Sequence, residues 1–282
     1  AEIGAAIGAA TQQGELKDRT FLDRRGAAFA GFTTRQNIET EAKMLRIEAE
    51  GRGSLSPIAS SLAAAKAVAG AAAQSERAGF GWNAAQRSAT TQLLTSRNRV
   101  TAVQGYAGTA KTTTVLATFA SEAEARGVNV VALAPTASAA MVLGEALGAR
   151  SDTVARHLLS PERPHPGQPA AWIVDEASLL SARDTARLFD LADKQDARII
   201  LVGDVKQLGS VEAGAAFAQL QGAGMETAKL GEIVRQTNEA TKEAVLASIE
   251  GDAKKALAAL DRGGGQIIEN GDRAERFAAI AE

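Results

Sequence analysis

Apolar runs and amphipathic stretches alternate along most of the chain. From residue 100 onward, helical stretches separate four β-rich runs: Val100–Val103, Val128–Ala134, Ala171–Val174 and Arg198–Val202. These runs are largely apolar and show no clear alternation of inward and outward positions, which is typical of strands buried on both faces. The pattern predicts an α/β fold with a mostly parallel sheet that helices cover on both sides.

The residues before the first run predict helices. Thr33 or Thr34 can cap a helix that Gly51 ends, because hydroxyl residues favour the start of a helix and glycine its end. Residues 59–78 are rich in alanine, the residue with the highest helix propensity. We therefore expect residues 1–80 to form a helical N-terminal accessory region.

The pattern changes again toward the end of the chain. Residues 241–260 predict a helix, a triple glycine follows at 263–265, and residues 266–269 predict a short strand. The α/β pattern therefore occupies residues 81–240, and residues 241–282 form a separate, mainly helical segment.

Composition excludes several classes of protein. The chain has no cysteine, which excludes disulfides, cysteine-based zinc sites and thiol catalysis. No apolar run reaches the roughly 18 residues that cross a bilayer, and the N-terminus lacks a signal-peptide pattern, so we expect no membrane insertion and a cytoplasmic location. A net charge of −2 and 4% aromatic residues do not by themselves indicate a nucleic-acid binder.

A glycine-rich loop joins the first β-rich run to a helix, the context of a phosphate-binding loop. Lys111 would contact the β- and γ-phosphates, and the Thr112 hydroxyl would bind Mg²⁺. Ala110 stands where the strict pattern G-x-x-x-x-G-K-[ST] has its second glycine, which narrows the permitted φ range. An ordinary glycine-rich turn is the alternative. The expected nucleotide-binding residues are Gly105, Gly108, Thr109, Ala110, Lys111, Thr112 and Thr113.

The third β-rich run ends in two carboxylates, Asp175 and Glu176. The carboxyl ends of parallel strands share one edge of a sheet, so these side chains should lie near the phosphate loop. Asp175 would bind Mg²⁺ and Glu176 would activate the attacking water. The alternative is an acidic cap on the following helix.

Two later polar residues are candidates for contacts with the γ-phosphate. Gln207 follows the fourth β-rich run and is a candidate phosphate sensor. Arg235 is a candidate arginine for charge stabilisation during phosphoryl transfer. Solvated surface positions are the alternative for both.

Taken in order, these segments resemble five motifs of superfamily 1 DNA helicases of the RecD-like branch. Within that branch the chain is most similar to the helicase part of relaxase–helicases from conjugative plasmids. The matching segments are Gly105–Thr113, Ala134–Thr136, Asp175–Ser178, Gly203–Val211 and Ile233–Gln236. The resemblance implies that residues 81–240 form the first of two RecA-like ATP-binding domains, and that residues 241–282 lead toward a second RecA-like domain that this chain does not include.

The resemblance also implies ligands and further contacts. ATP and Mg²⁺ would bind at the phosphate loop, with Gln86 reading the adenine. Asn83 and Gln86 also have the spacing of a helix capping box, which is the alternative for Gln86. The residues implied to contact single-stranded DNA are Pro135, Thr136, Thr153 and His157. A surface or partly buried histidine is the alternative for His157.

The leading hypothesis is an ATP-dependent, single-strand-tracking DNA motor domain of a conjugative relaxase–helicase. Its implied partners are single-stranded DNA, the second RecA-like domain and the nuclease domain of the same parent chain, and the conjugative transfer machinery. An inactive single-strand-binding module is one alternative, motivated by Ala110. A RecD-like repair helicase is another.

Overall fold

The computed structural model describes residues 10–22, 28–105, 110–160, 168–204, 215–230 and 239–263. These residues fall into two compact units, the first ending with the last strand of the main sheet and the second containing residues 239–263. None of the helices in these ranges is long and apolar enough to cross a membrane.

The elements of the first unit are β1 (Leu16–Leu22), β2 (Ala28–Thr34), α1 (Arg35–Glu50), α2 (Ser61–Arg77), α3 (Ala84–Thr95), β3 (Val100–Gly105), a π-helical segment (Lys111–Leu116) that continues into α4 (Ala117–Glu124), β4 (Asn129–Ala134), α5 (Ala137–Leu147), β5 (Arg150–Thr153), α6 (Val154–Leu159), β6 (Ala170–Val174), a 3₁₀ turn (Ala177–Leu179), α7 (Ala182–Gln195), β7 (Ala197–Gly203), α8 (Ala216–Gly222) and β8 (Thr227–Leu230). The second unit contains α9 (Glu239–Glu250) and α10 (Ala253–Arg262).

The main sheet has six strands in the order β5-β4-β6-β7-β3-β8. Every pairing in it is parallel, which confirms the predicted α/β fold. The four predicted runs correspond to β3, β4, β6 and β7, the inner strands. The two outer strands, β5 and β8, were not predicted.

Both faces of the sheet are buried, which explains why the inner strands lack polar alternation. Along β6, Trp172 and Val174 point into one core, with Phe189 of α7. Ala171 and Ile173 point into the other core, with Phe119 of α4. Because successive residues of a strand face opposite sides, a strand between two helical layers is mostly apolar on both of its sides.

The prediction of a helical region over residues 1–80 is wrong at residues 16–22 and 28–34. Strands β1 and β2 form an antiparallel pair there, with Arg19 opposite Gly31. The second strand carries phenylalanines and threonines, which favour extended backbone, and Gly31 disfavours a helix. The N-terminal region is therefore mixed.

The predicted helices that follow the hairpin are confirmed. The Thr34 hydroxyl accepts a hydrogen bond from the Asn37 amide at the start of α1, and Gly51 lies at its end. Helix α2 falls within the predicted alanine-rich stretch. A salt bridge of 2.7 Å between Arg19 and Glu41 joins the hairpin to α1.

Over residues 239–263, the described part of the second unit, the chain forms a pair of helices rather than the single helix expected over residues 241–260. Gly251, at φ +79°, separates α9 from α10 because this left-handed conformation ends a helix. A salt bridge of 2.8 Å between Arg262 and Glu243 joins the two helices. The strand predicted at residues 266–269 lies outside the described residues.

Candidate functional site

The carboxyl ends of the parallel strands bring the candidate residues to one edge of the sheet. Strand β3 leads to Gly105, β6 to Asp175, β4 to Pro135, and β5 ends at Thr153. Ligands bind at this edge in open parallel α/β sheets. The order of the strands therefore sets which candidates are neighbours.

The described part of the phosphate loop ends in an unusual backbone conformation. Ala110 adopts φ 54° and ψ 30°, in the left-handed region. This is the position at which the sequence pattern calls for glycine, and it needs the conformation that glycine adopts without strain. The helix begins immediately afterwards with a π-helical segment at Lys111, a geometry often found at functional sites.

Lys111 is held at the mouth of this loop. Its ammonium group donates a hydrogen bond to the carbonyl oxygen of Gly105, at the end of β3. Burial raises the pKa of the Asp175 carboxyl, and the positive charge of Lys111 partly opposes this rise, so these two predicted residues interact electrostatically.

The two threonines after Lys111 differ in exposure. Thr112 is half-buried, whereas Thr113 is exposed. Thr113 lines an open cleft of about 830 Å³ between α2 and the helix that starts at Lys111. Thr113 therefore belongs both to the residues expected to bind phosphate and to the lining of this cleft.

Asp175 lies at the end of β6 in a largely buried position. Its amide donates a hydrogen bond of 2.9 Å to the Leu133 carbonyl, and its Oδ1 accepts one of 2.8 Å from the Glu176 amide. Burial raises the pKa of the Asp175 carboxyl, while the Glu176 hydrogen bond and the charge of Lys111 act in the opposite direction. A nearby cation therefore favours the ionised carboxylate.

Glu176 also has a left-handed backbone, at φ 52° and ψ 33°. Such a conformation is uncommon for any residue other than glycine, and it often occurs at functional sites. The 3₁₀ turn that follows is closed by a hydrogen bond of 2.9 Å from the Leu179 amide to the Glu176 carbonyl. The sequence carries no signal for this conformation.

The three candidate DNA contacts at the ends of β4 and β5 are close together. Ala134 pairs with Thr153 across these neighbouring strands, and Pro135 and Thr136 follow Ala134 directly. Both threonines cap helices: Thr136 accepts from the Ala139 amide at 3.3 Å, and Thr153 caps α6. Thr136 is exposed and Thr153 half-buried.

His157 lies in the core rather than on the surface. Its side chain is 4% exposed, and its ring meets that of Trp172 edge-on, with centroids 4.6 Å apart. Burial lowers the pKa of His157, which favours the neutral ring. This placement favours the alternative of a buried histidine over the expected DNA contact, because the apolar core leaves the ring inaccessible to a phosphate.

Gln86 forms the capping box that its spacing with Asn83 indicates. The Asn83 side chain accepts from the Gln86 amide at 2.8 Å, and the Gln86 side chain accepts from the Asn83 amide at 3.0 Å. The residue is 2% exposed. The capping alternative is therefore observed.

Four predicted site residues lie outside the described residues: Gly108 and Thr109 of the phosphate loop, Gln207 and Arg235.

Helix α8 touches two strands of the site, and the sequence patterns did not single it out. Gln221 of α8 donates a hydrogen bond of 2.7 Å to the Gln104 side chain, next to the end of β3. Phe217 of α8 packs against Gly203 at the end of β7. Phe217 has no distinguishing sequence signal, because a buried phenylalanine on a short helix is ordinary.

Comparisons with known proteins show what this chain is similar to. Residues 81–272 match a family model described as an AAA domain. The chain is 30% identical over 272 residues to the multifunctional conjugation protein TraI of Escherichia coli strain K12, covering 92% of this chain and 14% of that protein. It is 33% identical over 224 residues to the RecBCD enzyme subunit RecD of Mycolicibacterium smegmatis, covering 67% of this chain and 39% of that protein.

The crystal structure of the Pif1 helicase from Candida albicans aligns with a TM-score of 0.44 and 17% identity, covering 60% of this chain and 44% of that one. This chain spans about one seventh of TraI. Since the family match covers more than half of the residues, the chain belongs to the family of AAA domains.

Proposed function

We propose that this chain is an ATP-dependent motor domain that hydrolyses ATP and moves along single-stranded DNA. The observation that carries the proposal is that Lys111, Asp175 and Glu176 follow strands that end at the carboxyl edge of one parallel sheet, where the charge of Lys111 acts on the Asp175 carboxyl. A lysine at a helix start beside a strand-end carboxylate is the arrangement that phosphoryl transfer needs. The similarity to TraI and RecD supports the assignment to DNA helicases.

Lys111 and the helix start would hold the phosphates. The ammonium group already binds one oxygen acceptor, the Gly105 carbonyl, and a phosphate oxygen can replace it. The backbone amides at the start of the helix would add donors and a positive dipole end.

The Thr112 hydroxyl and the Asp175 carboxylate would hold Mg²⁺, a cation that prefers oxygen ligands. When bound, Mg²⁺ supplies charge neutralisation at the β- and γ-phosphates. The position of Asp175 fits this role, because a carboxylate with a pKa raised by burial gains from a cation beside it.

Glu176 would accept a proton from the water that attacks the γ-phosphate. The attack is in line with the leaving oxygen, and Lys111 stabilises the charge that develops on the phosphoryl group. We propose Gln207 and Arg235 as further contacts to this group, and Gln86, in addition to its capping role, as the contact to adenine.

Pro135, Thr136 and Thr153 would bind the DNA backbone without reading its sequence. Strand β4 lies three strand positions from β3, which at about 4.8 Å per step separates Pro135 and Thr136 from the phosphate loop by about 14 Å. Strand β6, with Asp175 and Glu176, lies between them. Both ligands can therefore bind one edge of the sheet together.

The proposed partners follow from the size of the relatives. TraI is far longer than this chain, so we propose a second RecA-like domain, a nuclease domain of the same parent protein, and the conjugative transfer machinery as partners. We also propose a cytoplasmic location.

Two other functions have a specific observation in their favour. The strained conformation of Ala110 favours an inactive module that binds single strands without turnover. The similarity to RecD favours a repair helicase. The first predicts DNA binding that is independent of nucleotide, and the second predicts a separate nuclease subunit rather than a fused nuclease domain.

ATP hydrolysis by Lys111→Ala in the full-length protein tests the proposal. We expect the variant to lose DNA-stimulated turnover by at least a hundredfold. Lys194→Ala is the matched control, because Lys194 is exposed in the last turn of α7. Equal turnover in Lys111→Ala and Lys194→Ala would contradict the assignment.

A further inference from the structure

The loop that carries Glu176 is packed against the end of β7 and against α8. Its first residues are fixed by hydrogen bonds, because the Asp175 amide binds the Leu133 carbonyl and the Asp175 carboxylate binds the Glu176 amide. Its later residues are fixed by packing, since Ala177 and Leu180 are buried. Because both parts of the loop are fixed, a small displacement of its later residues also displaces Glu176.

Gly203 lies close to the backbone of this loop. A Cβ atom built on Gly203 would lie 3.2 Å from the backbone nitrogen of Ser178, two residues after Glu176. The same Cβ would lie 3.4 Å from two ring atoms of Phe217. Backbone lies on one side and a buried ring on the other, so neither neighbour can turn away as a flexible side chain can.

Phe217 completes the contact from the side of α8. Its side chain is 2% exposed and belongs to the same core as Ala177 and Leu180. The Phe217 ring and Gly203 together form the surface against which the 3₁₀ turn after Glu176 packs.

We infer that Gly203 and Phe217 are positioning residues that set the location of the Glu176 carboxylate for the attack on ATP. The inference rests on the proposed ATPase function. Neither residue is expected to touch ATP. They act through the backbone of the Glu176 loop, whose displacement by a few tenths of an ångström misaligns a general base.

Gly203→Ala is the first test, with Gly222→Ala as its matched control. Gly222 lies at the end of α8, and a Cβ there meets no atom within 4 Å. In the full-length protein with saturating single-stranded DNA, we expect Gly203→Ala to lower kcat about tenfold, while the KM for ATP and the affinity for a fluorescent ATP analogue stay within twofold. Gly222→Ala should match the wild type.

Phe217→Leu perturbs the same packing surface from the opposite side, and it is the alternative test if Gly203→Ala does not fold. It removes ring volume instead of adding a methyl group, and we expect a threefold to tenfold loss of kcat, again with the KM for ATP unchanged. A merely structural role would lower the folded fraction, and with it nucleotide binding and turnover in parallel. Wild-type kcat in folded Phe217→Leu, or equal losses of binding and turnover in both variants, would overturn the inference.

The same assays separate this inference from the proposed function. If Lys111→Ala turns over ATP like the wild type, the proposed function has failed. If Lys111→Ala is inactive while Gly203→Ala and Phe217→Leu have wild-type kcat, only the positioning inference has failed.

Discussion

Ala110 is an alanine in a backbone conformation that favours glycine, and Ala110→Gly measures the free energy of this strain. The residue adopts φ 54° and ψ 30°, where an L-residue other than glycine costs about 1–2 kcal/mol. Glycine removes this strain but gives the unfolded chain more freedom, which costs about 0.4–1 kcal/mol. We therefore expect Ala110→Gly to raise the free energy of unfolding by about 0.5–1 kcal/mol.

The control is the same substitution elsewhere in the same helix. Ala117 adopts φ −62° and ψ −42°, ordinary right-handed helical values. Glycine there costs about 1 kcal/mol and gains nothing in the folded state. Alanine-to-glycine substitution should therefore raise the free energy of unfolding at position 110 and lower it at position 117.

Thermal unfolding followed by circular dichroism shows whether each substitution stabilises or destabilises the protein. For a domain of 150–250 residues, 1 kcal/mol shifts Tm by about 2–4 °C. We expect Ala110→Gly to melt about 1–4 °C above the wild type and Ala117→Gly about 2–4 °C below it. If both variants melt below the wild type by similar amounts, Ala110 is not strained and the reasoning is refuted.

Three further perturbations test the packing. Burial lowers the pKa of His157 below its ordinary 6.5, so the unfolded chain binds the proton more readily than the folded protein does. The free energy of unfolding should therefore fall as the pH drops below about 6.5. Urea titrations at several pH values should show a smaller fall in His157→Leu. Glu226→Ala deletes the acceptor of three side-chain donors and should cost about 2–3 kcal/mol, more than Glu226→Gln, in the same urea assay. Gly144→Ala places a Cβ 2.6 Å from that of Ser151 and should lower Tm, whereas Gly70→Ala, in open space, should raise it.

The inner sheet was predictable from the sequence because its strands are buried on both faces. The inner strands are largely apolar, and burial on two sides is the property that such a composition encodes. The outer strand β5, with the sequence Arg-Ser-Asp-Thr, has no such run. It is held by its pairing with β4, which is a contact distant in sequence.

The sequence indicated which residues of the candidate site lie at one edge of the sheet, but not their backbone conformation. The order of loop, lysine and carboxylates predicted a phosphate site, and the charge of Lys111 acts on the Asp175 carboxyl in the structure. The left-handed conformations of Ala110 and Glu176 follow from the surrounding packing rather than from their own preference. The contact between Gly203 and Phe217 likewise depends on how α8 packs.

Hairpin β1–β2 and His157 show how tertiary contacts override local pattern. The hairpin replaced an expected helix because its two strands pair with each other over seven positions. His157 was expected at the DNA and is instead packed against Trp172, because the short helix α6 turns that side chain toward the sheet. Neither outcome can be deduced from spacing along the chain.

The most direct test of the ATPase proposal is ATP binding and turnover by Glu176→Gln, measured together in the full-length protein with single-stranded DNA. Glutamine keeps the size of the side chain but cannot accept the proton of the attacking water. We expect ATP affinity within twofold of the wild type and turnover reduced by at least a hundredfold. Wild-type turnover in this variant would contradict the proposed role of Glu176, and a wild-type protein without DNA-stimulated turnover would favour the inactive binding module.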